Sequence, residues 1–122
     1  MPGFALDHAQ VIAPPGTVDE ARRFYGDLVG LAEIDRPATM GGEGVWFAAG
    51  EQELHVSTDA DFVPAKRAHP GLRLADDAEL NALAAKLEAA GVETQWDDRL
   101  PGARRFYARD PWGNRLEFLA RV

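Results

Sequence analysis

Cysteine is absent from the 122 residues, and disulfides, thiolate metal sites and cysteine nucleophiles are excluded with it. No uncharged apolar run of 18 residues occurs either, so no segment reads as a membrane-spanning helix. The start, MPGFALDHAQV, carries neither a basic region nor a long apolar stretch, which argues against a secretory signal; a cytoplasmic protein without membrane partners is expected. Positive charge is also short. Thirteen Lys and Arg against 20 Asp and Glu give a net charge of -7 and a pI near 4.8, which argues against a general nucleic-acid or anionic-membrane binder. The local exception is the last two dozen residues, which hold six arginines and could bind an anion.

What is present, 46% hydrophobic and 27% charged residues, suffices for one globular domain over 1–122 built of two similar halves. FALDHAQVIA (4–13) alternates as a strand and is closed by Pro14, Pro15 and Gly16. Thr17 with Glu20 three residues on forms a candidate capping box, and Val18, Ala21, Tyr25 and Leu28 make a helical stripe stopped by Gly30. Strands are expected at 31–36, 44–49 and 52–58, between the glycines at 41, 42, 44 and 50. The loose glycine run MGGEGV has no following helix and reads as a hairpin tip, not a phosphate loop. The first half, about 1–60, is therefore βαβββ.

After a connector, HPGLRL (69–74) reads as a strand. A helix then starts at Asp76 or Asp77 and runs through Leu80, Leu83, Ala84 and Leu87 to Gly91. Strands at 92–97, 103–109 and 114–120 complete a second βαβββ module, about 67–122. The halves keep step. His8 to Gly30 and His69 to Gly91 both span 22 residues, while His8 to His55 is 47 and His69 to Glu117 is 48. A shift of 61 or 62 residues aligns His8 with His69 and His55 with Glu117.

All three histidines thus fall at strand positions equivalent to each other or to Glu117. Imidazole and carboxylate are ligands for Zn, Fe(II), Mn, Ni or Co, and two histidines with one carboxylate leave positions open for substrate. The ordinary alternative for each is a part-buried, hydrogen-bonded side chain. DPWGN (110–114) suits a type I turn or a three-residue hairpin loop. The three-residue loop puts Tyr107 across from Glu117, and a two-residue loop would put Phe106 there. Arg105, Arg109 and Arg115 share that face and could orient an anionic substrate or form a solvated charge network. Trp46, Trp96 and Trp112 could line a pocket or fill core and interface.

LDHAQV, EARRFYGDLVGL, ELHVS, HPGLRL and RRFYARDPWGNRLEFL resemble the vicinal oxygen chelate superfamily, which groups glyoxalase I, fosfomycin-resistance transferases, bleomycin-binding proteins, methylmalonyl-CoA epimerase and extradiol dioxygenases. The resemblance implies an α+β, glyoxalase-like fold in which two βαβββ modules form a curled mixed sheet around a cleft, usually in a homodimer. It implies a divalent ion held by His8, His69 and Glu117, with His55 as a fourth ligand or general base. Tyr107 would be an acid, base or hydrogen-bond donor, and Arg105 would assist the chemistry. His55 stands where bacterial glyoxalase I carries a glutamate, a departure from that enzyme's pattern. A metal-dependent enzyme acting on a small oxygenated molecule is expected; the alternative is a metal-free drug-binding protein of the bleomycin-resistance type.

Overall fold

Over residues 3–122, which the computed structural model describes, secondary structure falls into two successive βαβββ runs. The chain divides into two compact units, the first ending at Val63 and the second spanning Pro64–Val122. No helix among the described residues is long and apolar enough to cross a membrane.

The first unit contains β1 (His8–Ala13), helix α1 (Val18–Ala21) continuing into a π-helical stretch (Arg22–Leu28), β2 (Ala32–Ile34), β3 (Gly44–Ala49) and β4 (Gln52–Thr58). Its sheet order is β1-β4-β3-β2, with β1 parallel to β4 and the other pairs antiparallel. Alternation assigns the faces. Val11, Ala13, Val45, Phe47, Leu54 and Val56 are buried together with Ala21, Phe24 and Tyr25 of the helical segment. His8, Trp46, Glu53 and His55 have the opposite parity and lie on the other face.

Two local expectations need correction here. Thr17 does not cap the helix: its hydroxyl donates to the Pro14 carbonyl at 2.6 Å, and no side-chain cap bond forms. The segment is also not a regular α-helix beyond Ala21, since Val29 N–H reaches back to the Phe24 carbonyl at 2.8 Å, a five-residue step. The wider π turn accompanies burial of both Phe24 and Tyr25, whereas Leu28 stays only half-buried. Gly30, at φ +97°, ends the segment as expected.

The second unit contains β5 (Gly71–Arg73), α2 (Asp77–Ala89), β6 (Gln95–Asp97), β7 (Ala103–Arg109) and β8 (Arg115–Arg121), in sheet order β5-β8-β7-β6. The Asp76 carboxylate caps α2 by accepting from Glu79 N–H at 2.9 Å. Leu80, Leu83, Ala84 and Leu87 are all buried, as are Phe106, Leu116 and Phe118. Each leucine buried this way contributes roughly 1.5–3 kcal/mol relative to exposure. Phe106 and Ala108 of β7 and Leu116, Phe118 and Ala120 of β8 form that core, which leaves Arg105, Tyr107 and Glu117 on the second face.

The β7–β8 loop has three residues. Asp110 N–H donates to the Asn114 carbonyl at 3.0 Å, and the Asp110 carboxylate accepts from Trp112 N–H, Asn114 N–H and the Asn114 amide at 3.1, 2.8 and 2.8 Å. Gly113 supplies the positive φ of +94° that the bulge requires. With that register, Tyr107 pairs directly with Glu117.

Candidate functional site

Glu117 lies mid-way along β8 between Tyr107 on β7 and Gly71 on β5. Its side chain is only 10% exposed, so its two oxygens need partners. Gly71 has no side chain to fill the space, and His69, two residues earlier, brings its Nε2 to 3.0 Å from Glu117 Oε1. The other ring nitrogen, Nδ1, is 2.6 Å from the Arg67 carbonyl oxygen, which can only accept, so Nδ1 carries the proton. His69 Nε2 therefore faces a carboxylate oxygen, and a cation in that gap, a proton or a metal ion, reconciles the two. A backbone carbonyl behind the second ring nitrogen is the usual support of a metal-bound histidine.

The second oxygen of Glu117 faces Arg105 Nη1 at 3.4 Å, and Arg105 Nη2 lies 3.5 Å from Asp97 Oδ1. Burial by itself lowers the Arg105 pKa, but the charges of Glu117, Tyr107 and Asp97 outweigh it and raise the value. Arg105 Nε is buried without a hydrogen-bond partner among the described residues. Asp97 is held well below the ordinary carboxylate range, first by the Arg99 guanidinium and then by the Arg99 backbone N–H. Tyr107 sits among cations: the Arg115 guanidinium is 4.0 Å and that of Arg105 5.3 Å from its ring centre, while His69 meets it edge-on at 5.5 Å. Arg115 also stands directly across from Arg109, a like-charge pair that a bound anion would relieve. An open groove of about 390 Å³, lined by Trp96, Asp97, Asp98, Ala103, Arg104 and Arg105, runs along the β6–β7 side.

In the first unit, His8 and His55 come together, but differently. The His8 ring stacks on His55 with centres 4.3 Å apart, and His55 stacks on Trp46 at 3.8 Å. His8 Nδ1 donates to Asp7 Oδ2 at 2.8 Å, and His55 Nε2 donates to Glu53 Oε1 at 2.8 Å. Among the described residues no three His, Asp or Glu side chains form a group that could hold an ion; the candidates gather as pairs within each unit. Asp97, Asp7 and Glu53 were absent from the sequence candidates. Glu53 was findable, because it lies two residues from His55 on one strand and so shares its face.

A family profile described as Glyoxalase/Bleomycin resistance protein/Dioxygenase superfamily matches residues 5–118. The chain belongs to this superfamily. A Bacillus anthracis protein assigned to the glyoxalase family is similar over 100% of both chains, at 38% identity and a TM-score of 0.91. The lactoylglutathione lyase of Agrobacterium tumefaciens is 25% identical, with a TM-score of 0.75 and coverage of 98% of this chain and 96% of its own. A fosfomycin resistance protein from Listeria monocytogenes shares the fold alone, at 15% identity, a TM-score of 0.72 and coverage of 100% and 95%. No curated protein matches the chain in sequence. The superfamily contains enzymes, and its glyoxalase-like α+β architecture is the one built here from two four-stranded mixed sheets.

Proposed function

We propose that the chain is a metal-dependent enzyme that acts on a small oxygenated molecule bearing an anionic group, with its two units as modules of one domain and a homodimer as its assembly. The observation that carries this reading is the 3.0 Å approach of His69 Nε2 to the Glu117 carboxylate, with the opposite ring nitrogen locked to a carbonyl. His69 and Glu117 are two of the proposed ligands, and His8 is a further one by the superfamily resemblance. Zn, Fe(II), Mn, Ni and Co all suit an imidazole–carboxylate donor set. When bound, such an ion supplies Lewis acidity for charge developing on substrate oxygens.

The remaining roles belong to the chain itself. Arg105 Nη1 donates to one oxygen of Glu117 at 3.4 Å and fixes that carboxylate in direction. Arg115, which pairs with no carboxylate among the described residues, orients the substrate anion alongside Tyr107. The Tyr107 hydroxyl is the nearby acid, base or hydrogen-bond donor. Metal content of protein purified without a metal-affinity column, combined with assays on catechols, hemithioacetals and thiol-plus-epoxide pairs, tests the reading. A bound ion and metal-dependent turnover of one class are expected; protein that holds no ion and shows no thermal shift with Mn, Fe(II), Ni or Zn would sink it.

A second reading, a metal-free binder of a cationic drug, is favoured by the net charge of -7 and by the 42% exposure of Trp96 beside the 390 Å³ groove. His69→Ala separates the two, because a binder keeps its ligand while an enzyme loses metal and turnover together.

A further inference from the structure

Three rings from three adjacent strands form one stack in the first unit: Trp46 on β3, His55 on β4 and His8 on β1. Trp46 and His55 are direct cross-strand partners, and their planes differ by 3°. His8 lies two residues along β1 from Gln10, the strand partner of His55, and its ring tilts only 17° from that of His55. The middle plate is shielded, with the His55 side chain 7% exposed against 46% for His8.

An imidazole donates to a metal through a nitrogen lone pair that lies in the ring plane. An ion shared by two imidazoles therefore sits close to the line where their planes meet. For rings 4.3 Å apart and tilted by 17°, that line lies roughly 10 Å or more away, against a metal–nitrogen bond of about 2.0–2.1 Å. His8 and His55, as stacked, cannot serve one ion.

The hydrogen bonds sort the histidines the same way. His8 ties its Nδ1 to Asp7, a carboxylate–histidine arrangement that leaves Nε2 as the free donor. His69 ties its Nδ1 to the Arg67 carbonyl and turns Nε2 to Glu117, the other proposed ligand. His55 instead commits Nε2 to Glu53. We infer that His55 is not a metal ligand: it is a positioning residue, the middle plate of a stack anchored on Trp46 that holds the His8 imidazole with Nε2 outward. This rests on the metal-dependent reading for its consequence, but the stack can be tested without metal.

The decisive variant is His55→Phe, which keeps a flat ring and removes both nitrogens; Glu53, itself 38% exposed, can then be hydrated. In metal-free protein, the His8 ring protons should show ring-current-shifted NMR resonances in the wild type and in His55→Phe, and move to ordinary histidine positions in His55→Ala. With Co(II), the wild type and His55→Phe should give the same visible absorption spectrum and affinities within about 3-fold. His55→Ala should bind roughly 10-fold more weakly with that spectrum unchanged, and His8→Ala should alter it. A changed cobalt spectrum in His55→Phe, or His8 resonances unshifted in the wild type, overturns the inference. Wild-type protein that binds no cobalt defeats the metal-dependent reading instead, and the metal-free resonances still decide whether His55 holds His8.

Discussion

The two units put their histidines at matching sheet positions and do opposite things with them. In the second unit, Glu117 stands between Gly71 and Tyr107, and an imidazole nitrogen meets a carboxylate oxygen at 3.0 Å. In the first, the equivalent His55 stands between Gln10 and Trp46, and imidazole meets imidazole face to face. Topology decides where a residue stands; the cross-strand neighbours decide how its ring is turned. An indole 3.8 Å away offers a plate to stack on. Tyr107 has guanidiniums against its ring and leaves Glu117 to Arg105 and His69.

That contrast can be broken from behind. Leu87 is fully buried on the helix side of the second sheet, and Leu87→Ala should lower stability by about 2–5 kcal/mol in urea unfolding. The site face itself is struck by Glu117→Gln, which removes the charge facing Nε2. Isothermal titration should show metal binding weakened roughly 100-fold, with the fold retained by circular dichroism; unchanged affinity would assign the His69 gap to a proton. Asp110→Ala should cost about 1–3 kcal/mol, since three donors lose their acceptor, and NMR should show the Tyr107–Glu117 pairing loosened while the Trp46–His55 pairing is untouched.

The smallest effect is expected at Asp97. Its folded carboxyl is held below the unfolded value of about 3.9, so its stabilisation is fully present above that value and lost as pH falls towards the folded one. Thermal melts of wild type and Asp97→Asn should differ most near neutral pH and converge below about pH 4.

Much of this architecture was legible from residue pattern. The strands at 44–49, 52–58 and 103–109 have the bounds expected of them, because glycines or a tight turn punctuate each and alternation runs between. The leucine spacing of α2 and its Asp76 cap are local signals and held. DPWGN offered two loop registers, and the bonds between Asp110 and Asn114 with the positive φ of Gly113 select the three-residue one. Other features were not local. The π-helical widening depends on how Phe24 and Tyr25 both reach the sheet, and Thr17 found a nearer acceptor in the Pro14 carbonyl than the helix end offered. The pairing of His69 with Glu117 could be anticipated from the repeat, but the stacking of His55 could not, because spacing carries no information about ring planes.

The outer strands carry a different implication. β2, β5 and β6, three of the four outermost strands in the two sheets, are each only three residues long. A strand that short offers an incoming chain about two backbone hydrogen bonds, too few to template edge-to-edge growth. At those three edges fibre-like strand addition is disfavoured, which leaves the six-residue β1 as the one long outer strand of the two sheets.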